Sequence, residues 1–179
     1  MSACTTVEMG SAIYRSAPLL QTPMEQVIRD AAPDCIFSDM FFTWTVDFAE
    51  EFNIPRLLFY PNNFLYHSIS HSLRVYASHA NVKSEFESFV VPDLPDKITM
   101  KRSQVSHLFV SKTHMGDMME RVRQSEECSF GVVHNTFYEI EPDCADNINK
   151  IKGKKVWHIG PLLSFLIAMA VLWRRNIVA

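Results

Sequence analysis

Short apolar runs alternate with stretches of helical periodicity along most of this sequence, and that alternation leaves few folds open. Residues 17–32 place Leu19, Leu20, Met24, Val27 and Ile28 at helical spacing and stop before Pro33, which predicts an amphipathic helix. Cys35-Ile36-Phe37 follows as a short strand flanked by Asp34 and Ser38-Asp39, and a helical pattern runs from Trp44 to Phe52. The unit then repeats: residues 56–60 read as a strand, and residues 64–79 as a helix entered through Pro61-Asn62-Asn63. A third copy has a helix over residues 116–127, a strand over 130–134, a helix over about 139–151 and a strand over 156–159 before Gly160-Pro161. Strands alternating with helices predict an α/β fold with a mostly parallel sheet covered on both faces.

Two stretches break the rhythm. Residues 86–104 carry Pro92 and Pro95 among mixed charges, and are expected to be an irregular surface excursion. Residues 162–173 have Ser164 as their only strongly polar residue, with Arg174 and Arg175 behind. Twelve such residues fall short of the ~20 that a helix needs to cross a bilayer, so no transmembrane span is expected. The remaining readings are a buried or interfacial helix, a short membrane anchor, or a stretch encoded out of register with what precedes it.

Composition narrows the partners. A 47% hydrophobic, 21% charged chain of 179 residues has the makings of a packed core. A formal net charge of -3, with Lys and Arg scattered, provides no field for nucleic-acid phosphates. The cysteines, Cys4, Cys35, Cys128 and Cys144, form no CxxC pair or metal-like spacing, and the opening residues lack the blocks of a signal peptide. A reducing, cytoplasmic setting is the expectation. The five glycines build neither a GxGxxG nor a P-loop. His67 and His71 lie four apart, a spacing known from metal sites, but no third ligand accompanies them and both are expected to be ordinary helix-surface residues.

Four strings in order carry a resemblance: PDCIFSDMFFTWTVDFAEEFNIPRLLFY, FVVPDLPDKITMKRSQV, FGVVHNTFYEIEP and KVWHIGP. Together, over about residues 19–161, they resemble the N-terminal, acceptor-binding domain of plant family 1 UDP-glycosyltransferases. The resemblance implies the first half of a GT-B fold, in which two Rossmann-like domains face each other. On that pattern residues 1–161 would be a partial acceptor-binding domain and residues 162–179 an atypical hydrophobic tail. The family's first strand, with its His-x-x-Pro base, would lie upstream of Met1, and the donor domain downstream of Pro161.

The same resemblance assigns roles. Asp39 matches the carboxylate that orients the family's catalytic His, at the carboxyl end of a strand where ligand-facing residues of open α/β sheets collect. A bland alternative has Asp39 capping the helix that begins near Thr43. Phe41, Phe42 and Trp44 resemble residues leading into the acceptor cleft, with packing of the next helix as the competing role. Asn62 and Asn63 fall where relatives carry a small hydroxyl residue near the donor sugar. None of the seven histidines stands in a His-x-x-Pro setting, so the base is assigned to none of them.

The implied activity is glucosyl transfer from a UDP-sugar to a hydroxyl of a flavonoid, triterpenoid or hormone-like metabolite, with no cofactor and no metal. The alternative is an aglycone-binding or interaction fragment without transferase activity. The partners expected are a small-molecule acceptor and a UDP-sugar, with self-association through an exposed sheet edge.

Overall fold

The computed structural model describes residues 16–106, 109, 114–160 and 162. Among them are helices α1 (Gln21–Ala31), α2 (Thr45–Glu51), α3 (Phe64–Tyr76), α4 (His114–Glu127) and α5 (Pro142–Lys152). The strands are β1 (Ile36–Asp39), β2 (Arg56–Tyr60), β3 (Ser88–Val91), β4 (Ile98–Lys101), β5 (Gly131–His134) and β6 (Lys155–His158). One sheet runs β1-β2-β5-β6 and a separate pair joins β3 to β4. β1 and β2 are parallel with Ile36 opposite Arg56 and Asp39 opposite Phe59. The alternation legible in the sequence thus becomes an α/β fold with helical crossovers between strands. The hydrophobic residues 163–173 lie outside the described residues, and no described helix is long and apolar enough to cross a membrane.

The chain divides into two compact units, residues 1–59 with 105–132 and residues 60–104 with 133–179. In the first, Ile36, Phe48 and Ala49 form a buried cluster against which Ile28 and Ile54 pack. Ile28 is the one member of the predicted apolar stripe of α1 in that cluster. Leu19, Leu20, Met24 and Val27 of the same stripe are exposed. α1 is held instead by Arg29, whose guanidinium lies 5.0 Å from the Phe48 ring centre and 4.7 Å from that of Phe52, and which pairs with Glu51 at 3.1 Å.

In the second unit Phe64, Ala145 and Ile148 form the core, with Cys144 and Val156 against it. α5 has Pro142 in its first turn, Lys150 and Lys152 in its last, and Gly153 closing it at φ 61°, which follows the usual rules for helix ends. α3 stops at Tyr76, three residues before the sequence expectation, because Ala77 adopts a left-handed φ of 48°. The expected irregular excursion over residues 86–104 is corrected: it contains the antiparallel hairpin β3–β4, with Ser88 opposite Lys101 and Val91 opposite Ile98. Alternation in Ser-Phe-Val-Val buries Phe89 and Val91, while Pro92 falls just past the strand, where no ladder hydrogen bond is lost.

Candidate functional site

In the first unit Asp39 ends β1, half-buried, and its Oδ1 accepts the Phe41 backbone N–H at 2.9 Å. The Phe42 N–H donates to the Asp39 carbonyl at 3.2 Å, so the chain turns tightly on leaving the strand. The helix-capping alternative does not hold, since the N-cap of α2 is Trp44 and no side chain caps it. Phe41 and Phe42 are half-buried on this turn, whereas Trp44 is buried, with its ring centre 6.2 Å edge-on from that of Phe42. The buried Trp44 Nε1 finds no hydrogen-bond acceptor among the described residues.

Beneath the turn lies a residue the sequence reading passed over. Arg56 heads β2 and is only 2% exposed. Its Nε donates to Ser38 Oγ at 3.0 Å and Thr45 Oγ1 at 2.7 Å, Nη1 to Ser129 Oγ at 2.7 Å and the Ser125 carbonyl at 3.3 Å, and Nη2 to the Phe42 carbonyl at 3.3 Å. Five donors spread in a rigid plane suit such a junction, which one ammonium cannot reproduce. Through Phe42 and Thr45, Arg56 fixes the turn that carries the acceptor-side candidates. The only sequence signal was a charge opening an otherwise apolar strand.

In the second unit Asn63 is the N-cap of α3, its Oδ1 accepting the Tyr66 N–H at 3.0 Å. Asn62 presents its carbonyl to His134 Nδ1 at 3.3 Å, and because a carbonyl only accepts, His134 carries its proton on Nδ1. Glu141, within a matched string but given no role from sequence, accepts the Phe64 N–H at 3.0 Å on Oε1 and the Leu65 N–H at 2.8 Å on Oε2. Thr136 Oγ1 also donates to Oε1. Asn63, Thr136 and Glu141 border an open cleft of about 330 Å³, lined further by Leu65, Asn135, Phe137 and Ile140. Gly160 closes against the same segment. A Cβ there would sit 2.6 Å from the Thr136 nitrogen, so only glycine fits.

The histidines depart from expectation. His67 is half-buried rather than exposed: its ring lies 4.3 Å from Tyr60 and 4.5 Å from the fully buried His134, centre to centre. Its Nε2 is sealed from solvent and without a partner among the described residues. Burial first, then the His134 and Lys152 charges, push its pKa well below the usual imidazole value. Lys152 sits 5.6 Å over the Tyr60 ring in the same cluster. His71, four residues on, faces Arg74 at 3.1 Å in an exposed pair, so the two histidines do not share a ligand set.

The Asp39 and Phe41–Trp44 group thus belongs to the first unit, and Asn62 and Asn63 to the second.

No protein-family model matches the chain. It is 46% identical over 169 residues to solanidine UDP-glucose glucosyltransferase 1 of Solanum tuberosum, covering 92% of this chain and 35% of that protein. Glycyrrhiza uralensis UGT73P12, solved with glycyrrhetinic acid 3-O-monoglucuronide, superposes with a TM-score of 0.82 at 31% identity, over 90% of this chain and 33% of its own. Medicago truncatula UGT71G1, solved with UDP-glucose, shares the fold at a TM-score of 0.65 and 17% identity, over 84% and 34%. The chain spans about a third of the length of each.

Proposed function

We propose that this chain, a relative of plant UDP-glycosyltransferases, forms the acceptor-binding side of an enzyme that moves a hexose from a UDP-sugar to a hydroxyl of a small plant metabolite. The observation that carries the reading is the Asp39 turn. A carboxylate at the mouth of a parallel strand leads directly into Phe41, Phe42 and a Trp44 whose buried indole N–H lacks an acceptor among the described residues. The likeness to solanidine glucosyltransferase and to UGT73P12 supports a large polycyclic aglycone such as a triterpenoid. Phe41 and Phe42 supply apolar contact area for such a ligand.

In the reaction, a base takes the acceptor hydroxyl proton as its oxygen bonds to the anomeric carbon, and UDP departs with the electrons of the broken C–O bond. Asp39 orients and stabilises the protonated base, a histidine in this reading that is assigned to no residue of this chain. Asn62 and Asn63 face the donor sugar, with the Asn63 amide NH₂ free to meet a hydroxyl, since its Oδ1 serves the helix cap. The setting in this reading is the cytoplasm, no metal takes part, and the β1 edge supports self-association, which sedimentation over a concentration series checks.

The test is calorimetric titration of the full chain with triterpenoid and flavonol aglycones, then with UDP-glucose added. Saturable aglycone binding, weakened at least fivefold by Phe42→Ala, is expected. Glucoside formation on adding UDP-glucose would assign the whole reaction to this chain, and binding without transfer would assign the acceptor half alone. No binding of any aglycone would overturn the reading.

A further inference from the structure

The geometry points to Glu141 as the positioning residue for the Asn62–Asn63 turn, an inference that rests, for its functional meaning, on that turn facing the donor sugar. The first four N–H groups of a helix have no partner within it. In α3 three are satisfied by only two side chains: Asn63 takes the Tyr66 N–H, and the two oxygens of Glu141 take those of Phe64 and Leu65. Both oxygens of one carboxylate therefore grip the two residues that immediately follow Asn63.

The grip crosses a long gap in the chain, since Glu141 is 77 residues from Phe64. Its own place is fixed twice. Its backbone carbonyl accepts the Ala145 N–H at 3.0 Å at the start of α5, and Thr136 Oγ1 donates to its Oε1. One residue thus opens α5 with its main chain and closes the start of α3 with its side chain. A carboxylate suits the task on charge as well as shape, because a helix N-terminus carries partial positive charge and charge-assisted bonds are about twice as strong as neutral ones. The consequence is local. The cap from Asn63 alone fixes the third helical residue, whereas Glu141 fixes the first and second and so the direction in which the Asn62–Asn63 backbone enters.

Amide exchange on the ¹⁵N-labelled full chain tests this. With Glu141→Ala, the Phe64 and Leu65 amides should exchange about 10- to 100-fold faster, the range that loss of a hydrogen bond to a charged group implies. The Asn62 and Asn63 side-chain amide resonances should shift while α2 amides keep their exchange rates. Glu141→Gln, which keeps the length and one carbonyl acceptor, should restore part of the protection, and Thr136→Val should give a smaller loss confined to the same two amides. Unchanged Phe64 and Leu65 exchange in Glu141→Ala would overturn the proposal. So would uniform loss of protection across the second unit that Gln does not relieve, because that pattern marks a general packing residue. Adding UDP-glucose to the unsubstituted chain separates the two claims. If the Asn62 and Asn63 resonances do not respond, the donor-sugar reading fails, while the exchange result still decides whether Glu141 sets the turn.

Discussion

The two compact units solve the same problem with opposite charges. In the first, a buried cation, Arg56, collects three hydroxyls and two carbonyls from β1, the following turn, α2 and the end of α4. In the second, an anion, Glu141, collects backbone N–H groups at the start of α3 and the Thr136 hydroxyl. Each junction lies directly behind a loop that follows a sheet strand and bears candidate site residues. The difference lies in what surrounds them. The Arg56 junction contains no group that titrates near neutrality, whereas the second unit also packs the half-buried His67 imidazole against the buried His134, with Lys152 in the same cluster. Rigid polar scaffolding thus supports both loops, and the second unit adds an imidazole, His67, whose protonation its burial opposes.

The comparison breaks hardest at Arg56. Replacement by Met leaves five acceptors without their donor in a dry site and should remove about 3 kcal/mol or more, seen as a drop in the denaturant midpoint and faster amide exchange in β1 and α2. Arg56→Lys should recover only a fraction, because one ammonium cannot reach Ser38, Ser129 and the Phe42 carbonyl together.

Acid sharpens the contrast. His67 has its folded pKa depressed below the usual 6.5, so in the window below that value the unfolded chain binds a proton that the folded one refuses. Stability from this group is fully present above pH 6.5 and falls as pH drops towards the folded pKa. The second unit should therefore lose exchange protection as pH falls below about 6.5, ahead of the first. His67→Phe should flatten that dependence.

The smallest effect concerns Ala77, which holds a left-handed φ of 48° at the end of α3 without the freedom of glycine. Ala77→Gly should relieve this strain and raise the melting midpoint by an amount equivalent to about 0.5 kcal/mol, with α1 and α2 exchange unaffected.

How much of this was legible depended on the range of the interaction. β2 could be read residue by residue because Pro55 and Pro61 bracket an apolar run that Arg56 opens. The hairpin escaped because two prolines and alternating charges hid the inward pair Phe89 and Val91. For α1, periodicity told which residues share a face and nothing about what covers it. Asp39 could be placed from the strand end alone. Arg56 and Glu141 could not, since their partners lie up to 73 and 77 residues away and a charged residue in sequence carries no mark of being buried. His67 was misjudged for a related reason: four-residue spacing puts two side chains on adjacent parts of a helix, while the neighbouring Tyr60 and His134 decide that only one points inward.

The central claim is that the turn from Asp39 to Trp44 receives an acceptor molecule. Residue-resolved NMR titration of the full chain with a triterpenoid aglycone tests it most directly. The account predicts saturable shifts in the Phe41 and Phe42 amides and the Trp44 indole N–H, reduced by Asp39→Asn. Shifts confined to other residues, or none at saturating ligand, would contradict it.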